Sequence, residues 1–401
     1  MTKRKNNWGR PPWKVTFRSK PSRLPERVDF AVIGAGFTGL AAAACLARLA
    51  PRKSVIVLES GSIGAGASGH TGGMALAETA AGPLPGLGNV LLGYKKILRD
   101  LHVDADLHLP GVWEIARGTR SMEGKTLRAL ASSPIDWSDS GRLRAVKKVT
   151  GGTVNPGKIL SGLARAAERS GATIFEHTAV VAFKTENAIQ LEVVHEGRKR
   201  AITAGRVLFA TNAGSLPLFP ELFGSREPAE PKLTFALATA PLPKKQIAAV
   251  GLSSGRPFYT VDLPYLWGRL LPVGRNFARI IFGSGLVPAF GESLKAANSK
   301  NLWSGLENFD IRRGQPAERI RALESRVRNL HPALKNVRIT HRWGGPILIT
   351  KGFIPVFRAY PKNENLLFLG GYSGHGVALS VYLAKWAAHS LLGKHKPPDW
   401  Q

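Results

Sequence analysis

Three glycines and one carboxylate carry the first recognisable chemistry in this chain. Gly34, Gly36 and Gly39 follow the apolar run Val28–Ile33 and open a helix-forming stretch, and Glu59 closes the next apolar run, Ser54–Leu58. That order of parts suits a dinucleotide. Gly34 permits a tight turn, Gly36 lets the backbone approach a pyrophosphate, and Gly39 lets the helix pack on the strand. The helix N-terminus offers free N–H groups and partial positive charge to phosphates. Glu59 stands 20 residues after Gly39, where a carboxylate can accept hydrogen bonds from ribose hydroxyls and would repel the extra phosphate of NADP. A glycine-rich turn in a plain βαβ unit is the competing reading. The strand–turn–helix–strand–acid context favours the nucleotide.

Two more glycine-dense segments have to be positioned. Residues 60–74 form a loop directly after the second strand, too costly in backbone entropy to be filler. Near the C-terminus, Leu366–Leu369 reads as a buried strand running through Gly370-Gly371-Tyr372-Ser373-Gly374-His375-Gly376 into a helix over Val377–Leu392. Between them, a helix is predicted from Pro156 to about Arg169, a strand over Ala172–Glu176, a meander over Val180–Glu196 and a buried strand over Arg206–Ala210. From about 226 to 345 short β-like runs dominate: Leu233–Thr239, Phe258–Leu263, Leu266–Pro272 and Ala278–Gly283. One amphipathic helix, Pro316–Leu330, turns Ile320, Leu323, Val327 and Leu330 inward. Strand–glycine–helix units at both ends with a β-rich middle predict a discontinuous nucleotide domain (28–90, 150–225 and 345–395). A second domain (91–149 and 226–344) and a basic N-terminal arm (1–27) complete the chain.

At 401 residues the chain is long enough for two domains. No apolar run reaches the roughly 18 residues of a membrane span, and no apolar segment backs the charged N-terminus as a secretory signal would require. One cysteine, Cys45, excludes an internal disulfide and disfavours a zinc cluster, so a reducing cytoplasm is expected. His102 and His108 flank Val103–Leu107 and read as solvated loop residues; no metal is expected. No Ser-His-Asp or metalloprotease pattern occurs. The net charge is +29, and residues 1–27 hold nine Lys and Arg against Glu26 alone. The rest is dispersed in clusters such as Lys147-Lys148, Arg198-Lys199-Arg200 and Arg312-Arg313. A basic surface steers anions and polyanions, yet no concentrated patch with interleaved aromatics marks a nucleic-acid module. Trp8 and Trp13 predict that the arm docks on the body or on a partner.

Four segments together resemble flavoproteins of the D-amino-acid oxidase (DAO) superfamily, in particular its gamma-glutamylputrescine oxidase-like branch. They are VIGAGFTGLAAA (32–43) with Glu59, GAGASGHTGGM (64–74), HRWGGPILITKGFIPVF (341–357) and LLFLGGYSGHGVAL (366–379); residues 155–180 are also similar to the family's adenine-side segment. The resemblance spans about 28–393. It implies an α/β fold: a Rossmann-like FAD/NAD(P)-binding domain of glutathione-reductase type with an inserted antiparallel β-rich (α+β) substrate domain. It also implies FAD, bound non-covalently since no cysteine lies in the matching segments.

By that resemblance, Gly34, Gly36, Phe37, Thr38 and Gly39 flank the pyrophosphate, and Glu59 and Ser60 the adenosine ribose. Ala67, Ser68, Gly69, Thr71, Gly72, Gly73 and Met74 pass beside the flavin, and Val180 or Val181 meets the adenine. Thr211 and Asn212 lie near the nucleotide. Gly344, Gly371, Tyr372, Gly374, His375, Gly376 and Val377 approach the flavin, the last four at its pyrimidine edge, where N–H donors stabilise negative charge. Relatives usually carry Arg-Asn where this chain has His70-Thr71. The implied reaction is oxidation of a C–N bond in a small amine or amino acid, with dioxygen or another electron acceptor. Candidate catalytic residues are His375, His70, Tyr259, Tyr265, Arg269 and Trp343, with Trp267 beside them: aromatic walls for an amine and Arg269 as a carboxylate clamp. Two other readings stay open, a flavoenzyme acting on aminomethyl groups of tRNA and a flavin subunit of a larger dehydrogenase complex.

Overall fold

The first strand, Arg27–Ile33, is apolar on both sides because both sides are covered. Phe30 and Val32 enter a core roofed by helices, while Ala31 and Ile33 enter a second core on the other face. In the computed structural model, which describes residues 6–20, 22–118, 120–122, 125–186, 188–215, 229–288, 309–398 and 400, this strand is central to a parallel sheet. Its order is Ala172–Phe175, Val55–Leu58, Arg27–Ile33, Arg198–Phe209 and Asn363–Gly370, all parallel neighbours. The meander Thr178–Lys184 and Ile189–His195 returns antiparallel onto Arg198–Phe209, and Val356–Tyr360 pairs antiparallel with Asn363–Gly370.

The roofing helices follow from local signals. Pro156–Arg169 starts where Asn155 caps it, its Oδ1 accepting from the Gly157 and Lys158 N–H groups, with Pro156 as first residue. Phe37–Leu49 buries Ala41–Ala44 completely; side chains this small admit the neighbouring helices closely. Cys45 is a buried core residue on this helix, and burial pushes its thiol up to about 11. No helix among the described residues is long and apolar enough to cross a membrane.

The second sheet has nine strands, in the order Ile339–Thr350, Ala229–Thr239, Phe277–Pro288, Leu266–Val273, Phe258–Thr260, Val112–Arg117, Arg142–Val149 and Asp136–Ser138, with Leu242–Pro243 beside Phe277–Pro288. All its pairings are antiparallel except Phe258–Thr260 with Val112–Arg117. On one face Phe235, Phe258, Leu266, Ile280 and Phe282 form a core under the helix Gly314–Leu330, which buries Ile320, Leu323, Val327 and Leu330 as its periodicity predicts.

Two expected domain limits are displaced. The helix Val90–Asp100, expected to enter the second domain at 91, packs Val90, Leu91, Tyr94, Ile97 and Leu98 into the first core. The limit at 344/345 falls inside the strand Ile339–Thr350. The apolar face of the helix Val90–Asp100 shows in the sequence, but the core it joins is set by topology. Residues 216–228 and 289–308, given to the two domains from sequence, lie outside the described residues, as do 1–5 of the arm.

The largely buried triad Arg117–Asp139–Arg326 ties the second sheet to its helix. Asp139 Oδ2 accepts from both guanidinium groups at 2.6 and 2.5 Å, and those groups also reach the Leu263, Pro264 and Tyr265 carbonyls. Burial raises the Asp139 pKa, but the two arginines outweigh it and hold the carboxyl below its ordinary value. Its stabilisation is therefore present above the ordinary carboxylate pKa and lost as pH falls through the depressed one. Asp139→Ala strands two largely buried cations and is expected to cost about 3 kcal/mol, read by denaturant unfolding at pH 7. Wild type and variant should converge in acid.

Candidate active site

Five parallel strands end at one edge of the first sheet, and Gly34, Glu59, Thr211-Asn212 and Gly371 follow four of those ends. This is the crevice outside the carboxyl ends of an open α/β sheet, at the point where strand order reverses. The first strand ends at Gly34, whose φ of +102° suits glycine. A side chain there would meet the Ala210 carbonyl oxygen at 2.9 Å and the Thr211 methyl at 3.4 Å. Asn212, at φ +47°, accepts the Gly371 N–H on Oδ1 at 2.9 Å. Thr211-Asn212 thus lies between the first glycine turn and the last.

Glu59 ends the second strand and is 9 % exposed. Its Oε2 accepts from the Ala35 N–H and its Oε1 from the Gly61 N–H, both at 2.8 Å, with Ser60 Oγ at 3.3 Å. Burial pushes its pKa up while these donors oppose the shift. The carboxylate therefore braces two glycine loops; three donors leave further acceptor capacity for a sugar hydroxyl. Thr178 donates its N–H to the Glu59 carbonyl at 2.7 Å, which brings the strand carrying Val180 and exposed Val181 alongside.

Glycine-dense residues 61–73 pack against the first turn. Ser68 Oγ accepts from the Phe37 N–H at 3.0 Å, and a Cβ on Gly36 would meet that oxygen at 2.8 Å. Thr38 Oγ1 and the Tyr372 hydroxyl share a 2.8 Å hydrogen bond, joining the first helix to the last glycine turn. The helices at Phe37 and Gly376 both start on residues whose side chains supply no cap. His375 is the N-cap of the closing helix Gly376–Leu391, with Nδ1 3.3 Å from the Ser373 carbonyl; Gly374 beside it is exposed at φ +89°. His70 Nδ1 lies 2.9 Å from the Gly66 carbonyl. Burial lowers both imidazole pKa values, so both rings are neutral near pH 7.

One row of register partners in the second sheet meets this loop: Glu114, Tyr259, Trp267, Gly283, Ala236 and Trp343. The row lies on the face opposite the helix-covered core. The Trp267 indole sits between two glycines. An added Cβ would meet it at 2.1 Å from Gly72 and at 1.9 Å from Gly283. Tyr259 donates its hydroxyl to Glu114 Oε1 at 2.6 Å, and burial, then Glu114, push its pKa up. Tyr265 lies just before the strand Leu266–Val273, 37 % accessible, against Gly285.

Two expected substrate contacts have other tasks here. Trp343 is fully buried and donates Nε1–H to the His70 carbonyl at 2.9 Å. Arg269, 2 % exposed and one row further along, donates Nε–H to the Gly72 carbonyl, and its Nη1 lies 3.3 Å from the Leu270 carbonyl. An arginine at an inward strand position reads as a ligand clamp; its actual partner, a backbone carbonyl, leaves no trace in sequence. Burial brings its pKa down to about 10. Gly344 packs against Phe309, on the core side.

Sequence reading missed Glu114, although the order Trp113-Glu114-Ile115 places it away from the core. It also missed that Trp13, 8 % exposed, donates Nε1–H to the Gly69 carbonyl at 2.8 Å. The arm docks on the body, as Trp8 and Trp13 suggested. No group of His, Cys, Asp and Glu among the described residues could hold a metal.

Comparison with known proteins fits this geometry. The profile described as FAD dependent oxidoreductase (DAO) matches residues 29–390. The chain belongs to that family. The probable oxidoreductase OrdL of Rhizobium meliloti is 27 % identical, covering 93 % of this chain and 85 % of its own. Gamma-glutamylputrescine oxidoreductase of Escherichia coli is 26 % identical over 91 % and 84 %. Among solved structures, L-proline dehydrogenase from P. horikoshii matches with TM-score 0.66 at 21 % identity, covering 94 % of this chain and 96 % of its own. Glycine oxidase from Geobacillus kaustophilus matches with 0.64 at 19 %, covering 94 % and 97 %. This DAO-family chain is thus an FAD-dependent oxidoreductase on an α/β fold. The residues fit the cofactor: glycine backbone that a Cβ would obstruct, two helix N-termini whose N-cap residues make no side-chain cap, and a carboxylate at the second strand's end.

Proposed function

We propose that this flavoenzyme oxidises the C–N bond of a small amine or amino acid. Bound FAD supplies the two-electron acceptor. The carbon beside an unprotonated amine loses hydride, and water converts the resulting imine to a carbonyl compound and the freed amine. Gly34, Gly36, Phe37, Thr38 and Gly39 hold the pyrophosphate, Glu59 the ribose, and Val180–Val181 the adenine end. The loop from Ser68 to Met74 borders the flavin, and the closing helix, beginning beyond His375, directs its N–H groups to the pyrimidine edge.

The observation that carries the reading is the row of Glu114, Tyr259 and Trp267 across from Gly72. Aromatic rings beside a carboxylate suit an amine that arrives as the cation and releases its proton to solvent before hydride loss. Neutral His70 and His375 match a reaction in which the amine lone pair drives hydride loss and no strong base is required. Relatives named for gamma-glutamylputrescine and for glycine support the same substrate class.

Anaerobic titration of the purified yellow protein with amines and amino acids tests it. Bleaching of the flavin visible band by one substrate, with release of the carbonyl product, is expected. A protein that binds FAD but is bleached by no amine or amino acid would refute the reaction class. Admitting air after bleaching and assaying hydrogen peroxide then separates dioxygen from another acceptor.

A further inference from the structure

We propose that Trp13, Trp343 and Arg269 are positioning residues that hold the Gly69–Gly72 backbone in its flavin-binding shape, so that cofactor affinity is coupled to docking of the N-terminal arm. This rests on the reading that the loop borders the flavin. Three carbonyls of one short segment are each met by a side chain from elsewhere. Gly69 is met by Trp13 of the arm, His70 by Trp343 of the strand Ile339–Thr350, and Gly72 by Arg269 of the strand Leu266–Val273. The segment cannot hold itself. Ala67–His70 is a single helical turn, too short to be stable alone, and the last carbonyls of a helix have no partner within it.

The three donors also form one packed unit. Trp13 and Trp343 meet edge to face, centroids 5.4 Å apart at 81°, and the Arg269 guanidinium lies over the Trp13 ring at 5.8 Å. Arg269 Nη2 is buried without a hydrogen-bond partner, and the Asp106 charge acts on the guanidinium. The Trp13 indole face adds an aromatic neighbour to the buried cation. The arm is pinned on both sides of this unit. On one side Gly9, at φ +82°, pairs with Trp343, and its Cβ would meet the Arg342 carbonyl at 2.2 Å. The Gly344 N–H reaches the Trp8 carbonyl at 2.8 Å. On the other side the Thr16 N–H donates to Ser161 Oγ at 2.9 Å, and Ser19 Oγ to Glu176 Oε2 at 3.0 Å. Glu176 Oε1 accepts the Ile63 N–H, at the start of the same glycine-dense loop. The arm therefore reaches the loop at both its ends.

The test uses full-length Trp13→Phe and Trp343→Phe, which keep an aromatic ring and remove the N–H, with Ser68→Ala as a probe of the loop itself. FAD affinity is measured by fluorescence titration of the apoprotein, alongside the shape of the bound flavin's visible band and its midpoint potential. Each phenylalanine variant is expected to bind FAD about threefold to tenfold more weakly, the effect of one net hydrogen bond, and to alter band shape and potential. A merely structural role would lower the unfolding temperature and leave the bound flavin's band and potential unchanged. Phe variants with wild-type affinity, band and potential, beside a perturbed Ser68→Ala, would overturn the proposal and spare the site reading. If Ser68→Ala and both Phe variants all leave FAD untouched, the loop does not border the flavin and both fail.

Discussion

Gly39→Ala is expected to abolish stable FAD binding, although alanine is the better helix former. A Cβ on Gly39 would stand 1.9 Å from the Gly34 carbonyl oxygen, 3.1 Å from its carbon and 3.3 Å from Val32 Cγ1. All but the last are backbone atoms of the strand end that turns toward the pyrophosphate. Relief requires the helix Phe37–Leu49 to lift off the strand, yet its buried alanines are packed under the helices Pro156–Arg169 and Gly376–Leu391. Propensity alone favours alanine by about 1 kcal/mol, so any loss is measured against that gain. Overpacking of this kind costs about 1–3 kcal/mol or more, and the shift falls on the turn that presents the phosphate donors. We expect FAD affinity to fall more than about a hundredfold, measured by equilibrium dialysis and by the flavin-to-protein absorbance ratio after purification. Gly39→Ala that purifies yellow with wild-type affinity would mean that helix and strand are further apart than described. Gly36→Ala offers a graded comparison: its nearest neighbour, at 2.8 Å, is the rotatable Ser68 hydroxyl, so the loss there should be smaller.

The same geometry explains why this half of the site was legible from residues 28–59 alone. The constraint at Gly34, Gly36 and Gly39 is local: a positive φ, a close helix–strand approach and an acid at the next strand end all act within one βαβ unit. Asn155-Pro156 announces its helix in the same way, and Ile320, Leu323, Val327 and Leu330 announce theirs by spacing. The substrate side was only half legible. Residue type put Tyr259, Trp267 and Arg269 among the substrate-side candidates, but which of them stays open depends on partners far along the chain. Arg269 finds the Gly72 carbonyl 197 positions away, and Trp343 finds the His70 carbonyl 273 positions away. A backbone carbonyl is the same chemical group at every residue, so no side-chain pattern encodes such a pairing. The arm was legible as something that docks, because two tryptophans are costly to leave in water. Its path was not, since Gly9 looks like any flexible glycine until the Arg342 carbonyl is seen against it.

Trp267 supplies the sharpest energetic test of how the two sheets meet. Its indole is held between the Gly72 backbone and the Gly283 backbone, so a methyl group added at Gly72 has nowhere to push it. Gly72→Ala in the wild-type background is expected to cost about 2–3 kcal/mol in denaturant unfolding through overpacking. In a Trp267→Ala background the same methyl enters the space the indole vacated, and the cost should fall to a few tenths. Trp267→Ala alone loses a large packed ring and should cost about 3 kcal/mol. The double variant should therefore be about as stable as Trp267→Ala, giving a coupling energy of about 2 kcal/mol, within the range for residues in contact. Simple additivity of the two substitutions would show that the indole and Gly72 do not touch. Flavin reduction by substrate, followed in all four proteins, then tells whether the contact also sets the chemistry. Loss of the reduction rate in Trp267→Ala and in the double variant, with the rate kept in Gly72→Ala, would assign the Trp267 ring itself to the amine-facing wall, beside Tyr259 and Glu114. A rate kept in both variants that lack the ring would make it a spacer between loop and sheet.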